Sequence, residues 1–182
     1  LVISPCSSHV LRNWRAERYA AVIDLAWREF GLRTILCGGP SPLERDMGAA
    51  IESLASTAVV NQIGKDSLPQ MLALLSRATV LLSPDSGPAH MGTLAGVEMG
   101  LALAGVSLYA ATNPARSGPY LSRDWTVDRY DEAARRYCGK PATALAWTRK
   151  IEQAGVMDLI TVEDVSGRLQ ALASAGLLRS RA

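Results

Sequence analysis

The sequence predicts an α/β fold in which a Rossmann-like parallel sheet is flanked by helices. Short apolar runs alternate along the chain with segments of helical periodicity, a pattern typical of consecutive βαβ units. Of the 182 residues, 48% are hydrophobic and 20% are charged, which is enough apolar material to bury one core of ordinary domain size. Residues 1–182 are therefore expected to form a single domain whose last part is helical.

The amino-terminal part of the chain is expected to contribute three strands and two helices. The strands are predicted at Leu1–Ser4, Thr34–Cys37 and Ala58–Asn61, and the helices at Trp14–Phe30 and Leu43–Leu54. In the first helix, apolar residues recur at spacings of three and four, so we expect them to pack in the core. These residues are Tyr19, Val22, Ile23, Ala26, Trp27 and Phe30.

The alternation continues and then changes character. The expected elements are a helix at Leu68–Arg77, a strand at Thr79–Ser83, a helix after Pro88 and a strand near Leu101–Tyr109. Ser67 and Gln70 are predicted to form a capping box at the first of these helices. From residue 113 to residue 128 the sequence is polar and loop-like, and beyond it we expect mainly helices. Thr161 and Asp164 mark the start of the last helix, and its inner face should consist of Val165, Leu169 and Leu172.

Charge and apolar runs exclude several classes of protein. The net charge is +2, and the 19 basic residues are spread along the sequence, so no nucleic-acid-binding stripe is indicated. A weak attraction to an anionic membrane face remains compatible with this charge. No apolar stretch approaches the roughly 20 residues needed to span a bilayer, which favours a soluble protein.

The amino terminus and the cysteines indicate a cytoplasmic protein. The segment from Leu1 lacks a basic region ahead of a hydrophobic stretch, so we interpret it as a strand from a longer protein and not as a signal peptide. Cys6, Cys37 and Cys138 make an odd count without metal-ligand spacing, so buried thiols in a reducing compartment are expected. No metal site is predicted.

The turn after the strand at Thr79–Ser83 is the best candidate for a ligand site. It comprises Asp85, Ser86, Gly87, Pro88, Ala89 and His90. Gly87 lets the backbone approach a ligand, and the free amides and dipole of a helix that starts here favour a phosphate. Alternatively, Asp85 or Ser86 only caps the helix, and His90 is a core histidine with no ligand. Both interpretations remain open on these residues.

Two further segments are weaker candidates. Arg12, with Ser8 nearby, could neutralise a diphosphate, or it could be an exposed arginine ahead of a helix. Its flexible side chain would have to be immobilised, so we expect the preorganised turn at residues 85–90 to dominate. Glu44 follows a Gly38-Gly39 pair and could accept hydrogen bonds from ribose hydroxyls or only complement the helix dipole.

Taken in order and spacing, the motifs closely resemble the carboxyl-terminal half of glycosyltransferase family 9, the ADP-heptose:lipopolysaccharide heptosyltransferases. The matching segments are Ile3-Ser4-Pro5, Arg12-Asn13-Trp14, Gly38-Gly39-Pro40, Gly64-Lys65 before Ser67-Leu68-Pro69, Asp85 to His90, and Asn113 to Tyr120. They cover nearly the whole chain. One departure lies at residues 91–108, which run several residues longer than the family pattern, lack its Gly-x-Pro turn, and could distort the next strand.

The resemblance implies one half of a glycosyltransferase B fold, with the ADP-sugar donor bound to this half. It implies that the turn at residues 85–90 holds the diphosphate, that Arg12 stands where the family usually has Lys, and that Glu44 matches a ribose-contacting acid. Lys65 would lie near the adenine. The implied donor-binding set is Ser8, Arg12, Glu44, Lys65, Asp85, Ser86, Gly87 and His90, with no cofactor and no metal.

The implied reaction is an inverting, metal-independent transfer of heptose to the lipopolysaccharide inner core, at the cytoplasmic face of the inner membrane. The catalytic base is expected in a missing amino-terminal domain, so this chain alone is expected to be inactive. A stand-alone nucleotide- or phosphate-binding module without catalysis is the alternative. A nicotinamide-dependent oxidoreductase is disfavoured because the spaced G-x-G-x-x-G fingerprint is absent.

Overall fold

A computed structural model describes residues 1–95 and 104–178 and contains a six-stranded parallel sheet. Its strands are β1 (Val2–Ile3), β2 (Thr34–Leu36), β3 (Val59–Asn61), β4 (Val80–Pro84), β5 (Ala104–Tyr109) and β6 (Val127–Asp128). Helices connect the strands, so the predicted α/β class and the Rossmann-like sheet are confirmed. The predicted strands at residues 34–37, 58–61 and 79–83 match β2, β3 and β4 to within one residue at each end.

The strand order fixes where a ligand can bind. The sheet runs β3-β2-β1-β4-β5-β6, so the chain proceeds outward in one direction from β1 and then returns to the other side of it. At this reversal Ile3 is in register with Leu36 on one side and with Leu82 on the other. Open α/β sheets of this order bind ligands beyond the carboxyl ends of the strands that flank the reversal. Here those strands are β1 and β4.

The helices agree with the sequence patterns at most of their boundaries. They are α1 (Ala16–Phe30), α2 (Pro42–Leu54), α3 (Leu68–Arg77), α4 (Gly87–Ala95), α5 (Pro114–Ser117), α6 (Tyr130–Cys138) and α7 (Val162–Ser174). The predicted capping box is present, since the Ser67 N–H donates to Gln70 Oε1 at 2.8 Å. The predicted start of the last helix is also confirmed, and there the Thr161 N–H donates to Asp164 Oδ2 at 3.0 Å. Within the described residues, none of these helices combines the length and apolar character needed to cross a bilayer.

One expectation for α1 is wrong. Trp27 is 46% exposed, whereas the residue before it, Ala26, is fully buried. Successive helix positions differ by about 100°, so Trp27 falls at the edge of the apolar stripe and lines a surface cleft with Val59 and Val60. The buried tryptophan is instead Trp14, which precedes α1 and donates its Nε1 hydrogen to the Ile160 carbonyl oxygen at 3.0 Å.

The second half departs from the prediction at two places. The polar stretch at residues 113–128 contains α5 and the strand β6, whose pairing with Leu108 and Tyr109 of β5 no local pattern indicated. The stretch at residues 139–161 is largely irregular, with short 3₁₀ helices at Ala142–Ala144 and Val156–Leu159, where mainly helices were expected.

The long segment at residues 91–108 does not distort β5, whose first five residues belong to it. β5 pairs with β4 in unbroken register, from Val80 opposite Ala104 to Pro84 opposite Leu108. Residues 101–103, which the sequence assigned to this strand, and Glu98 and Met99 lie outside the described residues. The edge of the sheet beside the candidate site is therefore regular.

Candidate functional site

The predicted site residues all follow the carboxyl ends of strands. Ser8 and Arg12 come after β1, Glu44 lies in the first turn of α2 after β2, Lys65 follows β3, and residues 85–90 follow β4. Because parallel strands end at the same edge of a sheet, these residues share one edge of the molecule. The Ser8 and Arg12 loop and the turn after β4 flank the strand-order reversal.

The turn after β4 leaves its glycine open. All five residues of β4 are buried, and α4 begins at Gly87 directly beyond it. A Cβ atom on Gly87 would meet only Met91 Cε, at 3.8 Å, so the space beside this residue is free for a ligand. The Ser86 side chain is fixed by a hydrogen bond to β4, in which its Oγ lies 2.8 Å from the Oγ of the buried Ser83.

Asp85 accepts hydrogen bonds from β5 and α5, and within the described residues no N–H group of α4 donates to it. Its Oδ2 accepts a hydrogen bond from the Ser117 hydroxyl at 3.1 Å, and its Oδ1 accepts one from the Tyr109 hydroxyl at 3.4 Å. His90 Nε2 lies 3.8 Å from Oδ1, and the His90 side chain is 44% exposed, so it is not a core histidine. Burial, with the Asp85 carboxylate beside it, raises the pKa of Tyr109.

Arg12 is already ordered by neighbouring side chains, contrary to the expectation of a flexible one. Its Nη2 donates to Ser8 Oγ at 3.0 Å, and its Nε lies 3.3 Å from Glu152 Oε1. The Arg12 side chain is only 13% exposed. The alternative of a solvent-exposed arginine is therefore wrong. Since the Arg12 side chain is already ordered, most of the entropic cost of immobilising it is met before any ligand binds. Glu152 also lies 3.8 Å from His9 Nε2.

Glu44 is held in a cap at the start of α2. Its Oε1 accepts from the Gly39 N–H and its Oε2 from the Ser41 hydroxyl, both at 2.7 Å. A Cβ atom on Gly39 would lie 2.8 Å from Oε2, so a glycine here lets the carboxylate reach the backbone. The carboxylate thus has a local structural role, and contact with a ribose remains a prediction.

Two buried thiols lie near this carboxylate. Burial, and secondarily Glu44, raises the pKa of Cys6 to about 12. Burial, followed by Asp66 and Glu44, raises the pKa of Cys37 to about 12. Both thiols are therefore protonated at neutral pH, as expected for structural cysteines, whereas Cys138 is only half-buried.

Lys65 is the predicted residue least connected to the others. It is exposed, and its Nζ donates to the Asn61 carbonyl oxygen at 2.5 Å. The preceding Gly64 has a φ of +72°, and a Cβ there would lie 3.0 Å from Pro40 Cα, so glycine is required at this turn. A small cleft of about 180 Å³ lies nearby between the ends of β2 and α3, lined by Gly38, Gly39, Asp66, Ser67, Leu68 and Met71.

Three residues of the site were missed by sequence reasoning. Ser117 lies inside the motif at residues 113–120 but received no role of its own. The local sequence predicts Tyr109 to be an ordinary apolar strand residue and Glu152 to be an ordinary acidic residue on the surface. Nothing in the local sequence predicts their contacts with Asp85 and Arg12. Across residues 1–95 and 104–178, no group of three or more His, Cys, Asp or Glu side chains is arranged to hold a metal.

Comparison with known proteins gives one consistent result. A family model described as glycosyltransferase family 9 (heptosyltransferase) matches residues 1–148. The lipopolysaccharide core heptosyltransferase OpsX of Haemophilus influenzae is 37% identical over 172 residues, which is 94% of this chain and 48% of that protein. The chain therefore spans about half the length of this curated relative.

Solved structures show the same relationship. A glycosyltransferase family 9 protein from Veillonella parvula superposes with a TM-score of 0.70 at 25% identity, over 98% of this chain and 46% of that one. The E. coli ADP-heptose lipopolysaccharide heptosyltransferase II gives a TM-score of 0.70 at 18% identity, over 96% of this chain and 46% of that one. At that identity the second likeness concerns the fold alone.

Proposed function

Since this chain belongs to glycosyltransferase family 9, the heptosyltransferases, we propose that it is the half of such an enzyme that binds the ADP-heptose donor. The observation that carries the proposal is the strand order. It sets the Ser8 and Arg12 loop against the turn at residues 85–90, at the reversal where open α/β sheets bind nucleotides. The E. coli neighbour's name includes the same donor.

In this proposal the diphosphate binds between the two segments. The N–H groups at the start of α4, beside the open Gly87, supply fixed dipoles, and the ordered Arg12 guanidinium supplies a positive charge. Glu44 and Lys65 would contact the ribose and the adenine, and His90 would face the sugar. In this proposal the Arg12 guanidinium and the helix amides, and not a metal ion, bind the diphosphate.

The proposed reaction is an inverting transfer. The acceptor hydroxyl oxygen bonds to the anomeric carbon as the bond from that carbon to the diphosphate oxygen breaks, and the electron pair leaves with ADP. The positive groups of this chain would stabilise the departing diphosphate. A base must take the hydroxyl proton, and we propose that it lies in the part of the relatives that this chain does not cover.

The proposed acceptor is the inner core of lipopolysaccharide, in keeping with the name of the OpsX relative. Transfer would take place at the cytoplasmic face of the inner membrane. This chain would contribute donor binding, and the acceptor would be held chiefly by the remaining part of the enzyme.

Calorimetric titration of residues 1–182 with ADP, ADP-heptose, UDP and GDP tests the proposal. We expect ADP and ADP-heptose to bind and the other two nucleotides to bind at least tenfold more weakly. No binding of ADP, or equal binding of all three nucleoside diphosphates, would show the donor assignment to be wrong. Incubation with ADP-heptose and a core-truncated lipopolysaccharide should give no transfer, and detectable transfer would contradict the role of a donor half alone.

A further inference from the structure

A basic surface lies along α6 and the segment that follows it. From residue 135 to residue 150 the chain contains five basic residues and no acidic ones. These are Arg135, Arg136, Lys140, Arg149 and Lys150, and all five are exposed. The formal net charge of the whole chain is only +2, so this segment carries a local excess of positive charge although basic residues also occur along the rest of the sequence.

The segment after α6 folds back onto the start of that helix, which keeps its charges close to those of α6. The Ala142 N–H donates to Asp131 Oδ1 at 2.7 Å, and the Tyr130 hydroxyl donates to the Arg149 carbonyl oxygen at 2.8 Å. Tyr130 and Asp131 open α6, a helix roughly 14 Å long. Residues from both ends of the segment are therefore held within about one helix length of each other.

Most of this charge is uncompensated. Arg135 is paired with Asp131, with Nε 2.7 Å from Oδ2. The four other basic residues, at positions 136, 140, 149 and 150, form no ion pair within the part of the chain that the structure describes. Four exposed and unpaired cations, held within about one helix length of each other, favour a polyanionic partner.

An exposed tryptophan distinguishes a membrane from a purely ionic partner. Trp147 is 60% exposed, and its neighbours Ala146 and Thr148 are exposed as well. Tryptophan is enriched at membrane interfaces, where its ring enters the headgroup region and its N–H stays hydrated. Basic residues beside it add attraction to an anionic leaflet.

We propose that this basic surface, residues 135–150, docks the protein onto a bilayer containing anionic phospholipids. The same segment leads within two residues to Glu152, which contacts Arg12, so docking would place the candidate site beside the membrane. Approach to a membrane-anchored acceptor would then be confined to the bilayer surface. The inference extends the proposed function and does not depend on which nucleotide the site binds.

Vesicle sedimentation tests the surface with a charge-matched control. Residues 1–182 are mixed with vesicles of phosphatidylcholine alone or with 30% phosphatidylglycerol. We expect binding only to the anionic vesicles, with at least tenfold weakening between 50 and 500 mM NaCl because salt screens surface charge. The variant K140S/R149S/K150S should lose at least tenfold in partitioning, and Trp147→Ser a smaller amount.

The control variant R28S/R33S/R77S also removes three exposed positive charges, but at positions far from α6 in the sequence. It should bind to the anionic vesicles within twofold of the parent. Equal losses in both triple variants would mean that net charge alone drives binding and would overturn the proposal. So would equal binding to neutral vesicles, or binding to a single-stranded oligonucleotide without binding to vesicles. ADP titration of K140S/R149S/K150S should match the parent, so failure of the nucleotide assignment is recognised separately.

Discussion

The Ser117 hydroxyl donates a hydrogen bond to Asp85 Oδ2 at 3.1 Å and thereby joins the two most distinctive sequence motifs of this chain. Asp85 opens the turn after β4, and Ser117 ends the short helix α5 after β5. The Tyr109 hydroxyl reinforces the link, since it donates to the Ser117 carbonyl oxygen at 2.8 Å and lies 3.4 Å from Asp85 Oδ1. The turn that presents Gly87 is thus fixed by the neighbouring strand.

Removal of the Tyr109 hydroxyl should weaken nucleotide binding without unfolding the chain. Tyr109→Phe keeps the buried ring and deletes only the donor to Ser117 and Asp85. We expect the Kd for ADP to rise about three- to tenfold, the equivalent of one hydrogen bond worth about 0.5–1.5 kcal/mol. Isothermal titration calorimetry measures the change.

Tyr130→Phe is the matched control for this variant. Tyr130 is also buried, and its hydroxyl donates to the Arg149 carbonyl oxygen, away from Asp85. Its ADP affinity should stay within twofold of the parent. In an Asp85→Ala background, which removes the acceptor, the effect of Tyr109→Phe should disappear, and an undiminished effect there would show that the hydroxyl acts through general packing.

Asp164 should make stability depend on pH in the acid range. Burial alone would raise the pKa of Asp164, but hydrogen bonds from Arg129 and from the Thr161 N–H outweigh it and lower that pKa below the usual 3.8. A carboxyl with a lowered pKa in the folded state stabilises the fold above its unfolded pKa, and this contribution is lost as the pH falls through the folded value. Asp164→Asn should therefore cost about 1–2 kcal/mol at pH 7 and progressively less below pH 4.

Urea denaturation at pH 7, 4 and 2.5 measures this difference. Glu163→Gln is the control, because Glu163 occupies the same first turn of α7 with an exposed side chain and no hydrogen bond to its carboxylate within the described residues. It should change the free energy of unfolding by less than about 0.5 kcal/mol at each pH. If Asp164→Asn lowers the free energy of unfolding equally at all three pH values, the lowered pKa of Asp164 is not the source of the stabilisation.

ADP binding should be independent of divalent metal. The sequence has no D-x-D pair to bridge a metal to a diphosphate, and the proposed site relies on Arg12 and the amides at the start of α4. Titrations in EDTA and in 5 mM MgCl₂ should give Kd values within about threefold. Binding that vanishes with chelator and returns with magnesium would require a different account of the diphosphate site.

The sheet and its ligand-binding edge were predictable because they depend on local patterns. Alternating apolar strands and amphipathic helices imply parallel βαβ units, and parallel strands end together, so residues after different strands converge at one edge. Capping at Ser67 and Thr161 involves residues three positions apart and is likewise visible in the sequence.

Contacts between distant segments were not predictable. Glu152 meets Arg12 across 140 positions of sequence, and β6 exists only because residues 127–128 pair with the end of β5. Trp27 satisfies the helical spacing but lies at the exposed edge of the apolar stripe of α1. Spacing alone does not distinguish the edge of such a stripe from its buried centre. Such features follow from tertiary packing, and a single sequence carries no local signal of it.

Arg12 and the turn at residues 85–90 flank the proposed diphosphate and should contribute unequally to its binding. Arg12 is ordered in advance, so preorganisation no longer separates it from the turn at residues 85–90. Part of its charge is already neutralised by Glu152, however, and part of its donor capacity is used by Ser8. Arg12→Ala should therefore cost one charge-assisted contact, about 1.5–3 kcal/mol, or roughly ten- to a hundredfold in ADP affinity.

Gly87→Val should abolish ADP binding, because a branched side chain would fill the open space through which the ligand reaches the backbone. The fold should persist, since a Cβ at Gly87 meets only Met91 Cε, at 3.8 Å, and circular dichroism checks this. Gly167→Val is the control: this glycine also lies in a helix with nothing within 4 Å of its Cβ position, and its variant should bind ADP like the parent. If Gly87→Val binds ADP normally while Arg12→Ala loses it altogether, the turn is only a connection between β4 and α4.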